Sequence, residues 1–196
     1  MPTITEGVDM RTTLTADLFI SADGWARGAE SPGYFGYLGP DLQRWIDEEG
    51  ERQQHVLMGR KTYEALAGLP VEFQDEGYER MASLTTTVFS RTLEKADWAN
   101  TTVESGDLVE TVRGLKDSSD VPLRTMGSIS VVKQLINTGL IDNLRLMVFP
   151  LFCGPTGREW AFDALNESEL TLNSQRVLDD RILLIDYTPT GRPIPR

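Results

Sequence analysis

The chain has 196 residues, 40% of them hydrophobic and 25% charged, which is enough for one domain with a substantial core. Its net charge of −11 argues against a general nucleic-acid or anionic-membrane surface, so a polyanionic ligand would need a local basic cluster. One cysteine (Cys153) and one histidine (His55) exclude an internal disulfide and a Cys/His zinc site, and no apolar run approaches the roughly 18 residues of a membrane helix.

The opening MPTITEGVDM lacks the basic-then-apolar pattern of a signal peptide, so a cytoplasmic protein is expected, with no metal. Residues 1–10 are polar and read as loose. Arg11–Ile20 alternates, with Leu14, Ala16, Leu18 and Ile20 on one face and Thr13, Thr15 and Asp17 on the other, which is a strand pattern. Asp23-Gly24 ends it as a turn, and Trp25 beside that turn is either core edge or pocket wall. Glu30–Gly39, rich in Gly, Pro and Tyr, reads as a loop. Asp41–Glu51 reads as a helix with an apolar stripe of Leu42, Trp45 and Ile46, and with Asp47, Glu48, Glu49 and Glu51 as a solvated acidic face.

His55–Met58 is a short buried strand that runs into Gly59-Arg60-Lys61-Thr62, with Tyr63–Ala67 helical. A glycine, two cations and a hydroxyl between a strand and a helix suit a phosphate, through charge-assisted hydrogen bonds and backbone N–H groups. An ordinary solvated turn is the competing reading. Val71–Arg80 reads as acidic and irregular. Thr85–Phe89 is a third strand, followed by Ser90-Arg91-Thr92, and Asn100–Val103 is a fourth. Asp107–Lys116 is helical, with Leu108, Val112 and Leu115 inward.

Leu123–Met126 then runs into Gly127-Ser128, and the helix that follows places Ile129, Val132, Leu135 and Ile136 on one face until Gly139 stops it. Here too a glycine turn meets a helix N-terminus, an arrangement that fits an anion as well as it fits a plain crossover. Leu144–Phe149 is a strand that Pro150 ends, and Leu170–Leu178 and Arg181–Tyr187 are two strands around the turn Asp179-Asp180. Pro189–Arg196 is a Pro/Gly tail. Alternating strands and helices through the middle imply a single α/β domain over residues 1–196. Its central sheet would be mostly parallel, with helices on both faces and antiparallel C-terminal edge strands. Three strands end in small or cationic residues, at the end where such sheets bind ligands. Together they suggest an extended phosphate-rich ligand such as a dinucleotide, although the GxGxxG fingerprint is absent.

The stretches SADGWARG, VLMGRKTYE, VFSRTLEKADWAN, GSISVVKQL, GLIDNLRLMVFPLFCGPTGR and LLIDYTPTG resemble the dihydrofolate reductase-like superfamily. More closely, they resemble stand-alone relatives of the C-terminal reductase domain of bifunctional riboflavin-biosynthesis deaminase-reductases. The resemblance implies a three-layer dihydrofolate reductase-like sandwich and NADPH as cofactor. Gly59, Arg60, Lys61 and Thr62 would hold its phosphates, with Arg60 or Lys61 at the 2′-phosphate. Ser90 and Arg91 would line the adenosine-phosphate side, and Gly127, Ser128, Ile129 and Ser130 would cradle the pyrophosphate. Asp23, Gly24 and Trp25 would lie in the loop closing over nicotinamide and substrate.

The implied reaction is hydride transfer to a C=N or C=O carbon of a pterin-like or aminopyrimidine substrate. LGPDLQRW resembles the region that carries the acid assisting protonation, which puts that role on Asp41, where a helix N-cap would equally explain an Asp. No deaminase zinc motif is present, and Asp142-Asn143 replaces the family's more usual acidic pair. A non-catalytic nucleotide-binding module on the same scaffold is the alternative. The resemblance also implies a homodimer, with Leu144–Phe149 and the last two strands as candidate contacts unless they are ordinary core. Cys153 reads as a small buried hydrophobe.

Overall fold

The computed structural model describes residues 12–194. The loose segment read at residues 1–10, the first residue of the first strand and the last two of the tail lie outside the described residues. Strand β1 (Leu14–Ser21) follows the alternation of its sequence: Leu14, Ala16, Leu18 and Ile20 share one buried face. After it come β2 (Trp25–Arg27), helix α1 (Pro40–Gly50), β3 (His55–Gly59), α2 (Arg60–Ala67), α3 (Glu76–Ser83), β4 (Thr85–Phe89) and β5 (Thr101–Glu104). The chain continues through α4 (Leu108–Ser118), β6 (Leu123–Thr125), α5 (Ile129–Asn137), β7 (Asn143–Phe149), β8 (Arg158–Trp160), β9 (Leu170–Leu178) and β10 (Ile182–Pro189).

Eight strands form one sheet in the order β5-β4-β3-β6-β1-β7-β10-β9. The pairs from β5 to β7 are parallel, and β10 and β9 run antiparallel. This is the α/β architecture expected from the alternating pattern. Helices cover both faces. On one, Val112 of α4 and Ile129, Val132 and Leu135 of α5 pack on Leu14, Ala16, Leu18 and Leu57. On the other, Leu42 and Trp45 of α1 pack on Met147 and Phe149, and Tyr63 of α2 with Tyr78 and Met81 of α3 pack around Val56, Met58 and Val88. Among the described residues no helix is long and apolar enough to cross a membrane.

Four sequence readings change. Val71–Arg80 is not irregular: a 3-10 turn at Val71–Phe73 leads into α3, capped by the Asp75 carboxylate on the Tyr78 N–H. The helix is only eight residues long with its acidic flank in solvent, so its apolar period is too short to stand out. Trp25 is not simply beside a turn, because β2 pairs with β8 in a separate two-stranded ribbon. Leu144–Phe149 is no contact surface, since β7 lies inside the sheet between β1 and β10.

The fourth change concerns Glu49, which belongs to no solvated face. It is 5% exposed and sits seven residues, about two helical turns, past Leu42, on the buried stripe. Asp17 and Arg145 are register partners on adjacent strands, and the Asp17 carboxylate accepts from Arg145 Nε at 2.6 Å and from Arg124 Nε at 2.6 Å. Arg145 Nη2 reaches on to Glu49 at 2.8 Å, and Arg124 lies 3.5 Å from the same oxygen. Both guanidiniums also lie over the Trp45 ring, 5.4 and 5.3 Å from its centroid. Two acids and two arginines are thus buried and paired between α1, β1, β6 and β7.

Burial alone would raise the Glu49 pKa, but the hydrogen bond and charge of Arg145, with Arg124 and Arg52, hold it below its ordinary 4.5. A lowered native pKa contributes stability above the unfolded value and loses it as pH falls through the native one. Arg145→Met leaves two buried carboxylates with one partner and is expected to cost about 3–5 kcal/mol in urea unfolding at neutral pH. Glu49→Gln is expected to be less stable than the parent at neutral pH, with the gap closing as pH drops below about 4. A gap independent of pH would show that the Glu49 charge contributes nothing.

Candidate functional site

The sequence-nominated residues gather at the C-terminal ends of four neighbouring strands, β4, β3, β6 and β1. At about 4.8 Å per strand the row spans about 14 Å. At its centre the sheet has a switch point. The connection after β3 leaves to the α1–α3 face and the one after β6 to the α4–α5 face, so a crevice opens between them, where open α/β sheets bind ligands.

Ser128 spans that crevice. Its Oγ accepts the Gly59 N–H at 2.6 Å and shares a hydrogen bond with Thr62 Oγ1 at 2.7 Å. Gly127 and Ser128 both have left-handed backbone, φ 63 and 65. A side chain at Gly127 would press on Thr62 as well as strain the backbone. With its hydroxyl committed to the β3–α2 junction, Ser128 gives α5 no side-chain cap, and α2 has none either. Two helix N-termini therefore converge with first-turn N–H groups, including those of Ile129 and Ser130, left for another acceptor. That combination of free donors and two helix dipoles suits a diphosphate.

The flanking cations differ from one another. Arg60 is held by a bidentate pair with Glu64 at 2.9 and 2.8 Å. Lys61 and Arg91 are exposed and, among the described residues, form no ion pair. Ser90 Oγ accepts from the N–H groups of Thr92 and Leu93 at 3.1 and 2.8 Å, which shapes the turn that presents Arg91. Among the described residues no cluster of three His, Cys, Asp or Glu side chains is placed to hold a metal.

The two nominated acids are both occupied. Asp23 accepts from Ser21 Oγ at 2.6 Å and from the N–H groups of Cys153 and Gly154 at 3.1 and 2.8 Å. The Ser21 hydrogen bond foremost, with the Gly154 and Cys153 N–H bonds and against desolvation, holds its pKa below the usual carboxylate value. The turn is thereby tied to the segment after β7, and the Trp25 ring faces Trp160 at 6.3 Å. Asp41 is not the N-cap of α1, which begins one residue earlier: Gly39 holds the cap position and Pro40 the first turn. The capping carboxylate comes from Asp179 in the β9–β10 turn, which accepts the Asp41 and Leu42 N–H groups at 2.8 and 3.2 Å. Asp41 returns the bond by accepting the Asp179 N–H at 3.1 Å, and its other oxygen accepts from Arg44 at 3.0 Å. Gly39 leaves room for the Asp179 carboxylate, which a side chain there would strike.

Sequence reasoning missed Asp179 as a cap, Trp160 as the partner of Trp25, and the Asp17–Arg145 pair. Only Asp179 left a signal. Its turn places two aspartates at φ 51 and 55, where Asn-Gly is the ordinary choice, and an Asp retained there suggests work for its carboxylate.

The family model described as the RibD C-terminal domain matches residues 12–184. The uncharacterized protein YyaP of Bacillus subtilis is 24% identical over 181 residues, covering 89% of this chain and 94% of that protein. A pyrimidine reductase-like protein from Corynebacterium diphtheriae superposes with a TM-score of 0.68 at 15% identity, over 92% of this chain and 93% of that one. Dihydrofolate reductase from Enterococcus faecalis, complexed with NADP(H), superposes with a TM-score of 0.62 at 17% identity, over 91% and 96%. The shared fold is the dihydrofolate reductase-like one that the sequence motifs implied.

Asp179→Gly suits the left-handed turn better and removes the α1 cap. The two opposing effects are worth about 1 kcal/mol of relieved strain and about 2 kcal/mol of lost capping. A net loss of about 1 kcal/mol, or about 2–4 °C in Tm, is expected. A rise in Tm would show that the turn, not the cap, dominates.

Proposed function

This chain belongs to the RibD C-terminal domain family, and on that premise we propose that it is an NADPH-dependent reductase of a flat heterocycle. The substrate would be pterin-like or an aminopyrimidine of the 5-amino-6-(5-phosphoribosylamino)uracil reductase type. The observation that carries the reading is the pair of uncapped helix N-termini joined by Ser128 at the switch point. NADPH, when bound, supplies the hydride from C4 of its nicotinamide. First-turn N–H groups of α2 and α5 would hold the pyrophosphate. Arg91 and Lys61, which form no ion pair among the described residues, are better placed for a further phosphate than Arg60, which Glu64 already holds. Trp25 and Trp160 stand at the end of β1, next to the phosphate row, where they would wall the nicotinamide and exclude water. Asp41, at the start of α1, is the acid at the substrate end of the row.

One observation favours a second reading, a nucleotide-binding protein without catalysis: both oxygens of Asp41 and of Asp23 are already engaged by protein donors. Turnover separates the two. NADPH oxidation with a pterin or aminopyrimidine, weakened in Asp41→Asn, supports the reductase, and tight NADPH binding with no oxidation against either class supports the second reading.

Thermal melting is expected to rise with NADPH, and more than with NADH, because a ligand that binds only the native state stabilises it by mass action. Arg91→Ala and Lys61→Ala are each expected to weaken NADPH binding about tenfold, or about 1.4 kcal/mol, with Arg60→Ala losing less. Equal shifts with both nucleotides would remove the 2′-phosphate assignment. No shift with either would sink both readings.

We also propose a homodimer through β9. Its nine residues form an outer edge of the sheet and are exposed except Leu178, with Leu172 and Val177 more than half exposed. Long unpaired edges with apolar side chains invite pairing. Sedimentation is expected to give a dimer for the parent and a monomer for Leu172→Lys/Val177→Lys. A monomeric parent would rule the assembly out.

A further inference from the structure

The space between α1 and strands β1 and β7 is filled from outside by an aromatic turn. At Gly33–Gly36 the chain makes one 3-10 turn in which Tyr34 and Phe35 both adopt left-handed backbone, φ 51 and 52. Neither residue type tolerates that region well, and each placement costs about 1–2 kcal/mol. The strain is offset by ring contacts. Tyr34 lies 5.3 Å from Phe19 and 6.4 Å from Phe149, and Phe35 lies 5.3 Å from Phe149. Trp45 meets Phe19 edge-on at 6.0 Å and closes the helix side. Tyr34 reaches far enough in that burial raises its phenol pKa, with Arg124 and Asp17 adding opposing smaller effects.

Besides these rings, Tyr37 packs 6.0 Å from Phe149 and under the Arg181 guanidinium at 5.1 Å, but few hydrogen bonds hold the turn down. Its own bonds, Phe35 N–H to Pro32 O and Tyr37 N–H to Tyr34 O, are internal, and Ser31 Oγ accepts from nearby Gly28. Among the described residues, the one hydrogen bond from residues 31–37 to a distant part of the fold runs from Tyr37 OH to Pro150 O at 3.5 Å, a long one. A segment with strained backbone, few hydrogen bonds to the rest of the fold and ring contacts that another flat ring could replace is one that a ligand can open.

We propose that Tyr34 and Phe35 form a displaceable plug, filling the place that a flat heterocyclic ligand takes between Phe19, Trp45 and Phe149. The identity of that ligand as substrate rests on the reductase reading above; the plug itself does not. A flat ring entering this space keeps the stacking on Phe19 and Phe149 and releases the backbone strain of both residues. The plug therefore sets a threshold. Its closed population lowers the apparent affinity of any ligand by the fraction of time the space is open.

Pterin, followed by its own fluorescence, is the probe, titrated into the parent, Tyr34→Ala and Tyr34→Phe. Tyr34→Ala is expected to bind pterin about tenfold more tightly, as a plug closed about nine-tenths of the time requires, and Tyr34→Phe is expected to match the parent. Weaker or unchanged binding in Tyr34→Ala would make Tyr34 a wall and overturn the proposal, as would no binding to any of the three. Hydrogen exchange on the parent decides the matter even if Tyr34→Ala folds poorly. Pterin is expected to speed exchange of the Phe35 and Tyr37 amides, and slower exchange there would overturn the proposal. The NADPH melting shift is read on the same samples. Its absence from the parent sinks the reductase reading and leaves the pterin comparison to decide the plug.

Discussion

Four buried charges govern where everything at the ligand edge can be. Asp17, Arg145, Arg124 and Glu49 sum to zero, but each alone would cost several kcal/mol to bury. Helix α1 therefore has one position over the sheet in which Glu49 meets both guanidiniums and Trp45 lies under them. A slip of one turn, 5.4 Å, would leave Glu49 among apolar side chains and the arginines half paired. Hydrophobic packing of Leu42 on Met147 and Phe149 supplies attraction but tolerates sliding, whereas the ion network does not.

With its C-terminal half pinned by Glu49, α1 delivers its N-terminus to the β9–β10 turn. There a carboxylate from Asp179 satisfies the first N–H groups. The contrast with α2 and α5 is informative. Those two helices begin at the same edge without side-chain caps, and the Ser128 hydroxyl at the cap position of α5 is turned away to the Gly59 N–H. The edge is thereby divided. Its β3/β6 part is open to anions, while its α1 part is already neutralised by an internal carboxylate and lined with rings. A ligand with a charged and a flat uncharged portion has one way to lie across such an edge.

How much of this could be read from the sequence follows from the range of the interactions. Strand alternation at Leu14–Ile20, the Gly127-Ser128 turn and the stop at Gly139 are local, and they place the sheet, the helices and the row of small and cationic residues along one sheet edge. The features that were missed depend on contacts between distant parts of the chain. Arg145 finds Asp17 only once β7 lies beside β1. Glu49 looks like its solvated neighbours Asp47 and Glu48 until its place seven residues after Leu42 is weighed against its charge. Asp41 carries the signature of a cap, yet the cap is Asp179, 138 residues away. The resemblance implies that Asp23 lies in a loop closing over a ligand, whereas what its sequence could not show is that its carboxylate fastens the turn to the Cys153 and Gly154 amides.

The same distinction bears on how a chain of net charge −11 would take the polyanion proposed above. Recognition by side-chain cations leaves a visible basic cluster, and here, among the described residues, Lys61 and Arg91 are the cations of the row that form no ion pair. Recognition by main-chain N–H groups needs something else: small residues that let the backbone approach, and helices whose caps are withheld. Gly59, Gly127 and Ser128 meet that need, and they are unremarkable as composition. Because N–H dipoles act at contact distance, the overall negative field weakens long-range attraction without cancelling the bonds formed on arrival. On the proposed reading, selectivity at this edge would come from the fit between an extended ligand and two fixed helix ends, which Ser128 bridges.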